Sequence, residues 1–420
     1  MHPGDKKYRE IVWMRQGGVW ATRSTLSIAE DPEFVRLAAE AGCMVLFVVD
    51  LKCTSIIGLV KIPIKRAFAR RIDMLKIVIE RPGGYRRLKV KEFQMPTPRD
   101  DEVLIEVSAA GVNFADIFIR LGLYKSAKEF VGWPITPGFE FSGSVLKCGR
   151  NVSDLQAGTA VFGLTRFGAY ASHLCVPRNQ VFNIPEDSVF SPDQWAAFPT
   201  VYLTAYHGLF HNIVVRPGMN ILVHSAAGGV GGALMQLGRL ADCRMIGVVG
   251  SSHKVQSVLE SGAHIVIDKN RESLWAKAKE VCPDGFDVVF DANGPATLKQ
   301  SYQHLAPMGK LVAYGFHSML SKRGGFPNYF KLIYQYLRVP RFNPLNMTGD
   351  NKSLIAFNLS YLFHRADLLD EAMQALMRWV AEGKIKAPPL QPFAYDNVAD
   401  AHRALESGTT VGKLILKFGG

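Results

Sequence analysis

From Met74 onward the chain alternates short apolar segments with turn residues. Residues 75–80, 88–93 and 103–109 are separated by Arg81-Pro82-Gly83-Gly84 and Pro96-Thr97-Pro98, which predicts strands of a β-rich domain. Further strands are expected at 143–148, 160–162, 169–176 and 180–184, and a partly open barrel would fit them. Beyond residue 220 the pattern changes. Apolar runs at 221–223, 245–249, 264–267, 287–290 and 310–314 are each followed by a helix-length stretch or a glycine-bearing turn. Repeated strand, helix, strand is the sequence form of an α/β fold with a doubly wound parallel sheet.

The first of these runs leads into Asn-Ile-Leu-Val-His-Ser-Ala-Ala-Gly-Gly-Val-Gly-Gly at 220–232, ahead of a helix expected at 233–240. Such a turn lets backbone N–H groups approach a pyrophosphate and aims the positive end of the helix dipole at it. Tight packing of strand on helix would explain the small residues equally well, so the repeated context decides for a dinucleotide site. In doubly wound sheets the ligand lies outside the carboxyl ends of the strands, where Gly228, Gly250, Gly294 and Gly315 fall. The second strand ends in Val249-Gly250-Ser251-Ser252-His253-Lys254, without the Asp or Glu that holds the ribose 2′-hydroxyl of NAD. That favours NADPH, with Ser251, Ser252 and Lys254 at the 2′-phosphate. The plain alternative for Lys254 is a solvated lysine at a helix start.

With 420 residues, 48% of them hydrophobic, the chain has room for two or three globular domains. Its six cysteines are scattered, without a CxxC pair, as in a reducing compartment, so a cytoplasmic location is expected. Residues 1–73 stand apart as an N-terminal extension. Glu30-Asp31-Pro32-Glu33 predicts a helix through Ala41, closed by Gly42, and 43–49 predicts a buried strand, too little to fold alone. The apolar run 42–64 contains Asp50, Lys52 and Lys61, and a charge at a bilayer centre costs about 2.5–3.5 kcal/mol, which argues against a spanning helix. The cluster Lys61, Lys65, Arg66, Arg70, Arg71 reads as a solvated tail, with a membrane-surface or targeting role as the alternative.

The formal net charge is +12, and one stretch of the chain is wholly without acidic residues. No Asp or Glu occurs between Asp291 and Asp350, whereas Lys299, Lys310, Lys322, Arg323, Lys331, Arg338 and Arg341 do. Within this stretch Phe330, Ile333, Tyr334 and Leu337 recur at helical spacing. A basic amphipathic helix over 326–342 suits the lid of an apolar pocket, a subunit contact or an anionic membrane surface. Nothing sharpens a nucleic-acid reading.

Several ordered motifs carry a resemblance. Gly111-Val112-Asn113-Phe114-Ala115-Asp116, Gly122-Leu123-Tyr124, Pro137-Gly138-Phe139-Glu140-Phe141-Ser142-Gly143, Leu203-Thr204-Ala205-Tyr206 and Ala226-Ala227-Gly228-Gly229-Val230-Gly231 resemble the signatures of the medium-chain dehydrogenase/reductase superfamily. The likeness runs from about residue 74 to 418 and points to the quinone oxidoreductase branch, in the group of the synaptic vesicle protein VAT-1 and its bacterial relatives. It implies a GroES-like substrate domain at 74–200 plus 345–420, with a Rossmann domain at 201–344 inserted. The closing helices 368–382 and 398–406 and the strand 412–417 would complete the substrate domain.

The resemblance also implies site roles. Asn113 and Tyr124 would line the nicotinamide and substrate cleft, Asp116 would steady that loop as the third member of the catalytic set, and Thr204 would face the nicotinamide. Ala227, Gly228, Gly229, Val230 and Gly231 would hold the pyrophosphate, with Gly294 and Gly315 at the neighbouring strand ends. The plainer readings are a turn cap for Asn113 and core packing for Tyr124. Zinc enzymes of the superfamily have Cys where this chain has Asn113 and His where it has Phe139, and a catalytic zinc needs three protein ligands, so no metal is expected. His207 and His211 lie four apart, with no evident third ligand. Relatives commonly carry a tyrosine at the position of Lys269, and the lysine would either pair with the 2′-phosphate in its place or weaken cofactor binding. The implied activity is zinc-independent, NADPH-dependent reduction of a quinone or α,β-unsaturated carbonyl by a homodimer. The alternative is an NADPH-binding adaptor that turns over weakly and associates with membrane lipid. Residues 25–43 resemble part of the barrel of radical S-adenosylmethionine proteins. Their cluster-binding cysteines are absent, so no iron-sulfur chemistry is implied, and the segment reads as a fusion remnant or a mis-assigned start, with Met74 as an original start.

Overall fold

The computed structural model describes residues 10–15, 18–23, 44–47, 74–320, 325 and 328–418. The chain divides into two compact units, 1–71 and 72–420. In the first, β1 (Glu10–Arg15) pairs antiparallel with both β2 (Gly18–Arg23) and β3 (Met44–Phe47). The third strand falls inside the expected 43–49 segment. The first two were not anticipated, although Ile-Val-Trp and Val-Trp are strong β-formers. The helix expected at 30–41 and the basic cluster at 61–71 lie outside the described residues.

The second unit opens with a hairpin of β4 (Met74–Val78) and β5 (Lys89–Phe93). Next comes the long strand β6 (Glu102–Val112), in which Val103, Ile105 and Val107 are buried. Two short helices follow, α1 (Phe114–Arg120) and α2 (Lys125–Phe130). They lead to β7 (Glu140–Cys148), β8 (Ala160–Leu164), β9 (His173–Pro177) and β10 (Val181–Asn183). The ninth strand begins at His173 rather than at 169, because the preceding residues pair with β4 instead, Ala171 bridging to Lys76 and the Tyr170 carbonyl accepting the Ile77 N–H, with Tyr170 fully buried. The connection to the next domain is helical, α3 (Pro192–Ala196) and α4 (Pro199–Tyr206), each entered through a proline in its first turn.

The cofactor-type domain is built from β11 (Asn220–Val223), α5 (Gly229–Leu240), β12 (Arg244–Val249), α6 (Val255–Glu260), β13 (Ile265–Asp268), α7 (Leu274–Val281), β14 (Phe286–Asp291), α8 (Leu298–Gln303) and β15 (Leu305–Ala313). Then come α9 (Tyr329–Leu337), α10 (Pro344–Asp350) and β16 (Ser353–Ala356). The six strands form one parallel sheet in the order β13-β12-β11-β14-β15-β16. Order reverses between β11 and β14, the switch point beside which such sheets bind ligands. Side chains alternate across the sheet as the pleat requires. Ile221 and Val223 pack with Val201 and Tyr202 on one face, while Leu222, Ile246 and Val248 pack with Ala278 and Leu298 on the other. The sixth strand lies past the expected domain limit of 344. Its short run follows the polar Asp350-Asn351-Lys352 and gave little signal.

The chain then returns through α11 (Ala366–Ala381), β17 (Leu390–Ala394), α12 (Val398–Ser407) and β18 (Lys413–Lys417). The last strand pairs antiparallel with β6, Leu414 opposite Val112, and completes a seven-stranded sheet. Among the described residues no helix is long and apolar enough to cross a membrane.

Candidate active site

A cavity of about 550 Å³ opens where the carboxyl ends of β11, β14 and β15 face α1 and α2. One wall carries Ser225, Gly228, Gly229, Val230, Gly231, Tyr314, Gly315 and His317, and the other carries Asn113, Phe114, Tyr124 and Phe139, with Thr200 and Thr204 between. Of the expected site residues, Asn113, Tyr124, Thr204, Gly228, Gly229, Val230, Gly231 and Gly315 therefore meet in one place.

The floor is a buried polar cluster. Asn113 ends β6 and donates its Nδ2 to Glu140 Oε1 at 2.8 Å. Lys413 Nζ, at the head of β18, donates to Glu140 Oε1 at 2.6 Å, Asn113 Oδ1 at 2.8 Å and the Val112 carbonyl at 3.0 Å. Three ammonium hydrogens thus meet three acceptors. The second Glu140 oxygen accepts the Thr200 N–H at 2.7 Å, and Thr204 Oγ1 donates back to the Thr200 carbonyl. The buried carboxylate is neutralised by a lysine. Among the described residues no group of three or more His, Cys, Asp or Glu side chains is arranged to hold a metal ion. His207 and His211 face one another at 3.0 Å through their Nδ1 atoms. Sequence reasoning quoted Glu140 only inside a motif and missed Lys413. Both are charges set in apolar runs, which was the available signal.

Asp116 does not reach the cavity wall. Its carboxylate accepts the N–H groups of Asn113 (2.8 Å) and Gly138 (2.9 Å) and the Tyr170 hydroxyl (3.0 Å), tying the start of α1 to the Gly138 turn. Burial pushes its pKa up to about 7, against the pull of those hydrogen bonds. It is a positioning residue. Tyr124 lies edge-on to Phe139 and donates its hydroxyl to Asn358 Oδ1 at 2.9 Å.

Above the floor the chamber is apolar, with Phe118, Leu123, Met319, Leu332, Phe357 and Phe363 on its walls. His317 stacks on Phe114 with ring centroids 4.0 Å apart, and burial holds its pKa down to about 4, so the ring is neutral near pH 7. Its backbone N–H is fixed by the Ala292 carbonyl.

The glycine turn is built as its composition requires. Helix α5 begins at Gly229, four residues before the expected start, so Gly229 and Gly231 fall in its first turn, where N–H groups have no intrahelical acceptor, while the Gly232 N–H already donates to the Gly228 carbonyl. Ser225 adopts a left-handed conformation (φ 55°) and donates its hydroxyl to Asn293 Oδ1. A Cβ on Gly231 would lie 2.5 Å from the Ser225 carbonyl oxygen, so only glycine fits there. Ala227 faces away from the main cavity into a smaller recess. Asp291, at the end of β14, accepts the N–H groups of Asn293 and Gly294 and fixes the neighbouring turn. The bare backbone and the twelve-residue helix behind it fit a dinucleotide pyrophosphate.

Ser251, Ser252, Lys254 and Lys269 gather outside this cavity, at the ends of β12 and β13. Lys269 lies over Gly250, where an added Cβ would be 3.3 Å from its Cε. Ser252 Oγ donates to Asp268 Oδ2 at 2.6 Å, so a carboxylate that the linear reading placed elsewhere does reach this turn. Lys254 is not the solvated lysine of the plain reading. It is buried and donates to the carbonyls of Gly408 (2.6 Å) and Thr410 (2.9 Å), bridging to the C-terminal turn.

Residues 99–186 match the family model described as alcohol dehydrogenase GroES-like domain, and residues 261–416 match that described as zinc-binding dehydrogenase. The chain is 33% identical over 336 residues to the synaptic vesicle membrane protein VAT-1 homolog of Rattus norvegicus, covering 80% of this chain and 81% of that protein. The chain belongs to the medium-chain dehydrogenase/reductase superfamily. Among solved structures it resembles human VAT-1 homolog-like protein (TM-score 0.69, 29% identity, 83% of this chain and 99% of that one). It also resembles Escherichia coli quinone oxidoreductase complexed with NADPH (TM-score 0.71, 29% identity, 82% and 99%). The superfamily's two-domain plan is the one seen here, a GroES-like domain around a Rossmann sheet.

Proposed function

We propose that this protein is an NADPH-dependent reductase of quinones or α,β-unsaturated carbonyls. The observation that supports it is the junction of a pyrophosphate-type glycine turn with an apolar chamber in a single cavity. NADPH, when bound, supplies a hydride at C4 of its nicotinamide. The residues of this chain do the rest. The first turn of α5 binds the pyrophosphate, Thr204 and the Asn113–Glu140–Lys413 floor set the ring's position, and the aromatic walls exclude water from the acceptor. Likeness to a quinone oxidoreductase solved with NADPH supports the cofactor choice. Consumption of NADPH absorbance with 1,4-naphthoquinone, 9,10-phenanthrenequinone or trans-2-nonenal tests the reading, and silence across that panel would end it.

The 2′-phosphate is assigned to the turn after β12, where no carboxylate follows Val249 directly and the exposed Lys269 lies over Gly250, whereas Lys254 is committed to the Gly408 and Thr410 carbonyls. Lys269→Glu is expected to weaken NADPH about 10- to 100-fold, as loss of a charged hydrogen bond worth roughly 1.5–3 kcal/mol implies, and NADH less than about threefold. Calorimetry with both nucleotides checks it. Equal losses would move the phosphate elsewhere.

One observation favours a second reading, that of a lipid-associating adaptor. Helix α9 lines the cavity with the half-buried Leu332 but leaves Phe330 89% and Leu337 76% exposed, beside Arg338 and Arg341. Sedimentation with phosphatidylserine vesicles, abolished by the double change Phe330→Asp and Leu337→Asp, together with NADPH binding and no turnover on the panel, would select it.

A further inference from the structure

The polar groups of the cavity wall differ in what they have left to offer. Ser225 and Thr204 donate their hydroxyls to Asn293 and to the Thr200 carbonyl, and Lys413 has three acceptors for three hydrogens. Asn113 is 8% exposed and gives its amide to Glu140. Tyr124, which the resemblance places along the nicotinamide and substrate cleft, directs its hydroxyl hydrogen to Asn358. His317 carries no side-chain hydrogen bond among the described residues, and its ring is held only by stacking on Phe114.

Asn358 is different. It lies between β16 and α11, and its side chain lines the cavity. Its Oδ1 accepts three hydrogen bonds, from the Tyr124 hydroxyl (2.9 Å), the Ser360 N–H (3.0 Å) and the Ser360 hydroxyl (2.8 Å). A backbone N–H can only donate, so the atom facing Ser360 is the oxygen and the amide cannot be flipped. Ser360 is itself buried and bonded to Ser126. Nδ2 makes no hydrogen bond among the described residues and is not enclosed. An amide locked by its oxygen, with N–H groups left over in a cavity that Phe139, Phe357 and Phe363 also line, is a preorganised donor.

We propose that Asn358 Nδ2 donates the hydrogen bond that holds and polarises the substrate's carbonyl oxygen, and that Tyr124 is a positioning residue acting through Asn358. The proposal rests on the reductase reading and narrows it to uncharged, apolar carbonyl compounds, because the cation in the chamber floor is already saturated. In the reaction a hydride, two electrons with one hydrogen, reaches the electrophilic carbon of the enone. The carbon–carbon π pair moves between the α carbon and the carbonyl carbon while the carbonyl π pair moves onto oxygen, giving an enolate whose growing negative charge Asn358 meets. A proton from water completes the saturated product, and NADPH is oxidised to NADP⁺.

Asn358→Asp keeps the oxygen that Tyr124 and Ser360 need and removes the N–H₂. With trans-2-nonenal and 1,4-naphthoquinone it is expected to lower kcat/KM about 100-fold or more, the usual effect of losing one such donor, with the NADPH Kd and the melting temperature unchanged. Asn358→Ala, read beside its melting temperature, is expected to show the same loss. Tyr124→Phe is expected to lose about tenfold alone and nothing further on top of Asn358→Asp, because residues acting through one another are not additive. Calorimetric binding of the same carbonyls to the NADP⁺ complex separates the two levels of the argument. A wild type that neither binds nor reduces any of them overturns the reductase reading and this proposal with it. A wild type that does, matched within about threefold by Asn358→Asp, overturns the donor assignment alone, and additive losses in the double variant overturn the role given to Tyr124.

Discussion

Lys413→Met is expected to lower the unfolding free energy by about 3–5 kcal/mol, the usual cost of removing one partner of a buried ion pair. The Glu140 side chain is fully buried and that of Lys413 is 4% exposed, and their contact is 2.6 Å. With the ammonium gone, the carboxylate keeps the Asn113 and Thr200 N–H groups but has no opposing charge. The Val112 carbonyl and Asn113 Oδ1 lose a donor at the same time. The double change Glu140→Gln and Lys413→Met is expected to recover most of the loss, since a neutral pair needs no counter-charge. Urea midpoints of the two single variants and the double variant give the coupling directly. A single variant within about 1 kcal/mol of wild type would show that water reaches the floor and screens it.

Gly231→Ala is expected to weaken NADPH binding more than about 100-fold. The new methyl would stand 2.5 Å from the Ser225 carbonyl oxygen and 2.7 Å from Ala226 Cα. Both are backbone atoms of a turn already held left-handed at Ser225 and bonded from the Ala226 N–H to the Val248 carbonyl, so the helix start must move instead. Two misdirected N–H groups at roughly 1.5–3 kcal/mol each account for that loss. Gly232→Ala is the control. Its Cβ would meet only Ser261 Oγ, at 3.9 Å, and alanine in a helix is favoured over glycine by about 0.8–1 kcal/mol, so binding should hold and stability should not fall. Equal binding by the two variants would remove the glycine turn from the cofactor site.

Much of the architecture was legible because it rests on periodicities. The continuous runs at 221–223 and 245–249 read as buried parallel strands, and they neighbour one another in the sheet. The amphipathic stretch at 326–342 read as a helix on the spacing of Phe330, Ile333, Tyr334 and Leu337, and its central part, Tyr329–Leu337, is one. What the linear pattern could not carry were pairings between distant residues. Lys413 reaches Asn113 across 300 positions, and Asn358 meets Tyr124 across 234. Neither separation leaves a local mark. The same limit affected the turn after β12, where Asp268 arrives from the next strand and Lys254 turns to Gly408 and Thr410. A serine or lysine seen only in its own segment has no visible partner.

The seam between the two lobes lies at the far end of the chain. Gly412 donates its N–H to the Ala227 carbonyl and bridges to Gly228, and the strand that follows zips onto β6. During synthesis the nucleotide-binding bend emerges well over a hundred residues before the segment that fastens it to its opposite lobe. A nascent chain can therefore assemble its parallel sheet early, yet it owns no finished crevice until the ribosome has delivered this last stitch.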